Sequence, residues 1–276
     1  MMSTASTPLS EANTDVNGEA TGNLQSYFSS SLLADQQKES SSFFNRLLDD
    51  QKNFYSRDSL IGLGLAFGAG AAVANTDWDH QIHRRFQTNV HGAASDEWFE
   101  FLHANKELGN GYYTLPVMGA AWLISETIDG PRQLETLGDW GERSLRGFAV
   151  GAVPLVVMQS VTGASRPGEP NGSGWDPLQD DNGVSGHSFM SALPFITAAK
   201  LTNSRWKKAF WYSASAIGPL SRVNDNAHYP SQAGLGWFVA YAAASAVDQT
   251  ATNRKPWSVV PLNSPGYSGA GLEFRW

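Results

Sequence analysis

Three short stretches of this sequence gather the residue types that grip and transform an anion: Gln159–Pro167 (QSVTGASRP), Val184–His187 (VSGH) and Ser221–Gln232 (SRVNDNAHYPSQ). Arg166 and Arg222 are permanently charged planar forks suited to holding a tetrahedral oxyanion along two edges, which suggests phosphate. Ser185 and Gly186 precede an apolar run from Ser188. Ser185 is therefore expected near a helix N-cap, with free backbone amides at Gly186 and His187 pointing at the anion. His187 and His228 are two imidazoles for one anion. One can attack phosphorus and the other protonate the leaving oxygen, the division of labour of phosphomonoester hydrolysis through a phosphohistidine. Gln232 follows His228 by four residues, so on a helix begun there its amide oxygen accepts the proton of the ring nitrogen not used for attack. Pro230 suits the first turn of that helix.

These segments lie at the ends of apolar stretches that must position them. Ser59–Ala74, Gly111–Ser125, Leu145–Val161, Ser188–Leu201 and Ser231–Val247, with a Trp-flanked stretch from Trp206 to Leu220, predict an all-α helical bundle. Most are shorter than the roughly 20 residues that cross a bilayer, and their Gly and Ala content suits close helix contact. Gly168–Gly183 reads as a surface loop framing the pocket. Ahead of the bundle, residues 1–31 are polar and aperiodic and read as a disordered tail. Phe43, Phe44, Leu47, Leu48, Phe54 and Tyr55 recur at helical spacing within 32–55, an amphipathic helix that serves as a strut or an interfacial anchor. The helical domain extends over 32–255, its core over 56–250. Residues 256–276 predict a terminal β-hairpin from Trp257–Leu262 and Gly271–Trp276.

Composition removes several classes of function. The chain has 276 residues and 41% hydrophobic content, enough for a substantial core. A net charge of -7 argues against a nucleic-acid partner. The lack of cysteine excludes disulfides, thiol nucleophiles and iron-sulfur clusters. Asp77, Asp79, His80 and His83 show no distinctive ligand spacing and read as a solvated helix start, so no metal site is expected. Gly62, Gly64 and Gly68 lack the strand that a dinucleotide fingerprint requires, and helix packing accounts for them. Gly183–His187 lacks the last glycine of a nucleophile elbow.

In combination and in order, the three segments resemble the motifs of the type 2 phosphatidic acid phosphatase and vanadium haloperoxidase superfamily over roughly residues 56–250. Arg166 and Pro167 match the end of its first motif, Ser185, Gly186 and His187 its second, and Ser221, Arg222 and His228 its third. Gln159 stands in place of the family's lysine, Val184 of its proline and Gln232 of its aspartate. Losing the lysine and the aspartate weakens the anion pocket without emptying it, since Gln159, expected two helical turns before Arg166 on the same helix face, can still donate a hydrogen bond to phosphate.

The resemblance implies a hydrolase of phosphomonoesters or diphosphates, lipid phosphates among them. His228 would attack phosphorus and His187 protonate the leaving oxygen. Arg166, Arg222, Ser185, the Gly186 and His187 amides and Gln159 would hold the phosphoryl oxygens, and Gln232 would orient His228. No cofactor is implied; vanadate could enter as a phosphate mimic. The alternatives are an anion-binding member without turnover and a vanadate-dependent haloperoxidase, against which the two lost charges weigh. A membrane surface is an expected partner, and the cell envelope, membrane-associated or periplasmic, the expected location, although no secretory signal is visible in the sequence.

Overall fold

The computed structural model describes residues 43–93, 97–128, 130–253, 257–264 and 267–274. The tail expected at 1–31 and the first part of the amphipathic helix, 32–42, lie outside the described residues. The helices are α1 (Phe43–Phe54), α2 (Arg57–Ala74), α3 (Asp77–Phe86), α4 (Glu97–Ala104), α5 (Gly111–Thr127), α6 (Arg132–Thr162), α7 (Gly186–Leu201), α8 (Arg205–Ser215), α9 (Ile217–Asn224) and α10 (Pro230–Thr252). A π-helical turn, Gln87–His91, extends α3, and a 3-10 segment, Asn105–Gly109, extends α4. The packing described below is that of residues 46–276.

The centre is built on α7 and α10. Phe189, Leu193 and Ile196 of α7 pack with Leu235, Val239 and Ala243 of α10 and with Val150 and Leu155 of α6. Both central helices bury residues on nearly every side, which is why neither shows the one-sided polarity of a surface helix. Small residues let them approach. At Gly236 a Cβ would collide with the Ser185 carbonyl oxygen, so only glycine permits α10 to pass against the start of α7. This close approach brings the second and third polar segments together.

Helix α6 is 31 residues long, and the predicted stretch Leu145–Val161 is only its second half. Its first half is polar and carries no long apolar run. Among the described residues this one helix is long and apolar enough to cross a membrane, in contrast to the shorter spans read from the sequence. The stretch Trp206–Leu220 is two helices, α8 and α9. Pro219 has no N–H to bond the Ser215 carbonyl four residues back, so the first helix ends there. Helix α4 went unread because eight residues are too few to display a period.

The packing explanation for the glycines of α2 fails at two positions: a Cβ at Gly64 or Gly68 would meet nothing within 4 Å. The loop after α6 also has buried anchors. Ser173 is fully buried and donates from Oγ to the Ala74 carbonyl at 3.0 Å, and the Trp175 N–H donates to Asn75 Oδ1 at 2.8 Å. At the C-terminus, β1 (Trp257–Ser264) and β2 (Tyr267–Phe274) pair antiparallel, with Trp257 opposite Phe274 and Ser264 opposite Tyr267. The hairpin is longer than predicted, and Trp276 lies outside the described residues.

Helix α1 is fastened to α6 by a buried ion pair. Arg146 donates from Nε and Nη2 to both carboxylate oxygens of Asp50 at 2.7 Å, and the two side chains are 2% and 0% exposed. Glu142 bridges Arg146 and Arg46. The arrangement makes the described part of the amphipathic helix a strut. Removing one partner strands the other charge in the interior, so Arg146→Met is expected to cost about 3–5 kcal/mol. Pairing it with Asp50→Leu should recover most of that loss, as read by urea unfolding of both proteins.

Candidate active site

His228 is 5% exposed and lies two residues ahead of α10, whose first residue is Pro230. The helix has not begun at His228, so the contact with Gln232 is not the helical pair expected from the spacing. Gln232, in the first turn of α10, instead reaches back over the cap. Its Oε1 accepts from the Tyr229 N–H at 3.0 Å and sits 3.1 Å from His228 Nδ1, while its Nε2 donates to the Ser165 carbonyl at 2.8 Å.

The two backbone groups determine which way this buried amide points, since an N–H requires the oxygen and a C=O requires the nitrogen. Nδ1 of His228 must then be the donor to Oε1. The lone pair of the neutral ring is on Nε2.

Ser185 is the N-cap of α7: its Oγ accepts from the Ser188 N–H at 3.2 Å. Its own N–H donates to the Gln232 carbonyl at 3.0 Å, tying the two helix starts together. The first-turn amides of Gly186 and His187 are orphan donors at the positive end of the helix dipole. His187 is exposed at this end. The serine hydroxyl expected to hold phosphate is thus engaged by the cap as an acceptor, with its proton left to donate.

Helix α6 ends at Gly163, which adopts φ 59°. Arg166 is therefore in the following loop, and the expectation that Gln159 and Arg166 share a helix face does not hold. Gln159 donates from Nε2 to the Val184 carbonyl at 2.8 Å, and the same atom would lie 3.6 Å from a Cβ at Gly186. It braces the stretch of loop that leads into α7 and sits beside the start of that helix.

Arg166 is oriented by residues that the sequence did not single out. Its Nε donates to Asn182 Oδ1 at 2.7 Å, Asn182 Nδ2 donates to Asp180 Oδ1 at 2.7 Å, and Asp180 Oδ2 accepts from Ser165 Oγ at 2.7 Å. The serine hydrogen bond, ahead of Asp181, Asn182 and Arg166, holds the Asp180 carboxyl below its ordinary range despite partial desolvation. The chain closes the loop on itself and leaves the two terminal nitrogens of Arg166 outside the network. Only the clustering of Asp180, Asp181 and Asn182 in the loop signalled this in sequence.

Arg222 stands on α9 beside Asp225, with 4.0 Å between Nη1 and Oδ2. Its Nε is buried without a protein partner. Desolvation, then Arg166, lowers its pKa against the opposing pull of Asp225 and Glu107.

His187, His228, Arg166 and Arg222 lie within electrostatic reach of one another. Burial pushes His228 down to about 4; the Gln232 hydrogen bond opposes this, and Arg222, Arg166 and His187 add to it. His187 is lowered by partial desolvation, then by Arg222 and Arg166, while Glu107 acts in the opposite direction. Two cationic forks and two imidazoles that feel one another's charge, with a helix N-terminus at His187, are the groups needed to bind a tetrahedral anion and to divide attack from protonation.

The presumed solvated start of α3 is partly interior. Asp79 is fully buried and accepts from the Ser231 N–H and hydroxyl, capping α10 next to Gln232. His80 and His83 each make an edge-to-face contact with the Tyr229 ring. Among the described residues no group of His, Asp and Glu is arranged to hold a metal ion.

The family model for the PAP2 superfamily matches residues 147–256, a span that contains all three motif segments. No curated protein and no solved structure matches the chain.

Proposed function

We propose, from the match of residues 147–256 to the PAP2 superfamily model, which supports phosphatase-type hydrolysis in general, a phosphohistidine mechanism acting on phosphomonoesters or diphosphates, lipid phosphates among them. The observation that carries it is the Gln232 amide. Held by the Tyr229 N–H and the Ser165 carbonyl, it keeps the His228 proton on Nδ1 and the lone pair on Nε2.

Arg166, Arg222 and the Gly186 and His187 amides bind the phosphoryl oxygens, with Ser185 and Gln159 as further donors. His228 Nε2 attacks phosphorus and forms the N–P bond as the ester P–O bond breaks. His187 gives its proton to the leaving oxygen. The neutral His187 then takes a proton from water as that water attacks phosphorus, and the N–P bond breaks to release phosphate and free His228. Vanadate would occupy the same pocket as a tetrahedral mimic. The apolar length of α6 accords with work at a membrane of the cell envelope.

The pH dependence follows from the two imidazoles. Attack requires neutral His228, so the acid limb of kcat/KM is expected near pH 4. Protonation of the leaving group requires cationic His187, whose lowered pKa places the alkaline limb below the ordinary histidine range in the free protein. A bound phosphate dianion raises that pKa, so the alkaline limb of kcat should lie at higher pH. Phosphate release from soluble and lipid monoesters, measured from pH 3 to pH 9, tests both limbs. Binding of phosphate or vanadate with no release from any ester would assign the chain to a non-catalytic anion-binding role. Halide oxidation with added vanadate would assign it to a haloperoxidase role.

A further inference from the structure

Beside the phosphate site runs a groove lined by side chains of a different character. A cavity of about 480 Å³ lies between the 3-10 segment Asn105–Gly109, α5, α6, α7 and α8, walled by Val117, Trp140, Phe195 and Trp211. A second, of about 800 Å³, continues past α7 and α8 and shares Trp140, Ala198 and Trp211 with the first. The Trp140 indole N–H donates to the Pro194 carbonyl at 2.8 Å, so its ring forms a fixed wall with its polar atom satisfied. Trp206 and Phe210, 87% and 62% exposed, border the outer cavity. Glu107 is the one charged residue lining the first cavity, among the described residues.

The groove adjoins the anion site in two ways. Glu107, on its wall, lies close enough to act electrostatically on both His187 and Arg222, and neighbouring Gly109 packs on the backbone of His187. His187, Pro194 and Ala198 also stand seven and four residues apart on α7, which places all three on one face of the helix. From His187 to Ala198 the helix rises about 16 Å, the scale of a long alkyl chain. A cationic pocket at one end and an apolar trough along the same face are the complement of an amphiphilic phosphate ester.

We propose that this groove is the subsite for the apolar chain of the substrate's alcohol, with Trp140, Phe195, Ala198 and Trp211 setting chain-length preference. The assignment rests on the phosphatase reading for the head group but concerns binding, which can be measured without turnover. Each methylene taken from water into such a trough strengthens binding by up to roughly fourfold.

The test is calorimetric binding of alkyl phosphonates from ethyl to dodecyl, below their micelle-forming concentrations. It uses the unchanged protein, Ala198→Trp, which fills the junction of the two cavities, and Val117→Glu, which places a charge on an exposed wall position and leaves the core intact. Affinity is expected to rise with chain length in the unchanged protein and to level off in both variants, with ethyl phosphonate bound equally by all three. Affinity independent of chain length, or a length dependence that survives both substitutions, overturns the proposal. Hydrolysis of the matching alkyl phosphates separates the two readings: length-dependent phosphonate binding without phosphate release supports the groove while refuting the hydrolase mechanism.

Discussion

His228→Ala is expected to lower phosphate release by about 10²- to 10⁴-fold, the range for removal of a group that acts on the reacting atoms. The cationic end of the pocket stays in place, because Arg166 is held by Asn182 and Arg222 stands on α9. Phosphate or vanadate affinity should therefore change far less than turnover. Unchanged turnover in the variant would remove His228 from the mechanism. The same substitution has a signature in stability. A histidine whose folded pKa is about 4 binds fewer protons than its unfolded counterpart between pH 6.5 and pH 4. Stability is then lost as pH falls through that window, by about 3 kcal/mol in total. His228→Ala should flatten this part of the pH–stability curve, as chemical denaturation at pH 7 and pH 4 would register.

Gln232→Leu has the second large expected effect, and it falls on both folding and chemistry. Leucine fills the buried space but leaves the Tyr229 N–H and the Ser165 carbonyl without partners, at about 1–3 kcal/mol for each. It also frees the His228 ring to carry its proton on either nitrogen, and turnover should fall by about 10²-fold or more. Gln232→Glu distinguishes a positioning role from a purely structural one. A carboxylate still accepts from Nδ1 and from Tyr229, and its charge raises the His228 pKa. The acid limb of the rate profile should move to higher pH, even as repulsion from the Ser165 carbonyl loosens the Arg166 loop. A profile whose acid limb stays in place would show that Gln232 does not act through His228. The family's aspartate at this position would be a poorer exchange in isolation, being shorter and having no N–H for Ser165.

Much of this site is legible as one-dimensional pattern. Ser185 caps α7 and Pro230 opens α10 as their types predict, because capping depends on neighbours within one turn. The spacing of His228 and Gln232 indicated a contact between them, which the structure makes by a reach over the cap instead of a helical pair. The placement of Gln159 and Arg166 on one helix face failed because Gly163 turns the chain out of α6 between them. The metal-like cluster of α3 was misread as solvated because nothing near Asp79 in sequence shows that Ser231 covers it.

The sequence by itself determined the residue chemistry, the order of the three segments, the helical class of the bundle and the local caps, all of which depend on side-chain type and short-range periodicity. Only the tertiary structure decided the tautomer of His228, the aim of Arg166 and the apolar groove beside them. Each of these depends on a partner distant along the chain: the Ser165 carbonyl lies 67 residues before Gln232, Asn182 lies 16 after Arg166, and Trp140 meets Pro194 across 54. Hydrogen-bond direction and cavity shape arise where separate segments meet, and side-chain type and local periodicity describe only one side of such a contact at a time.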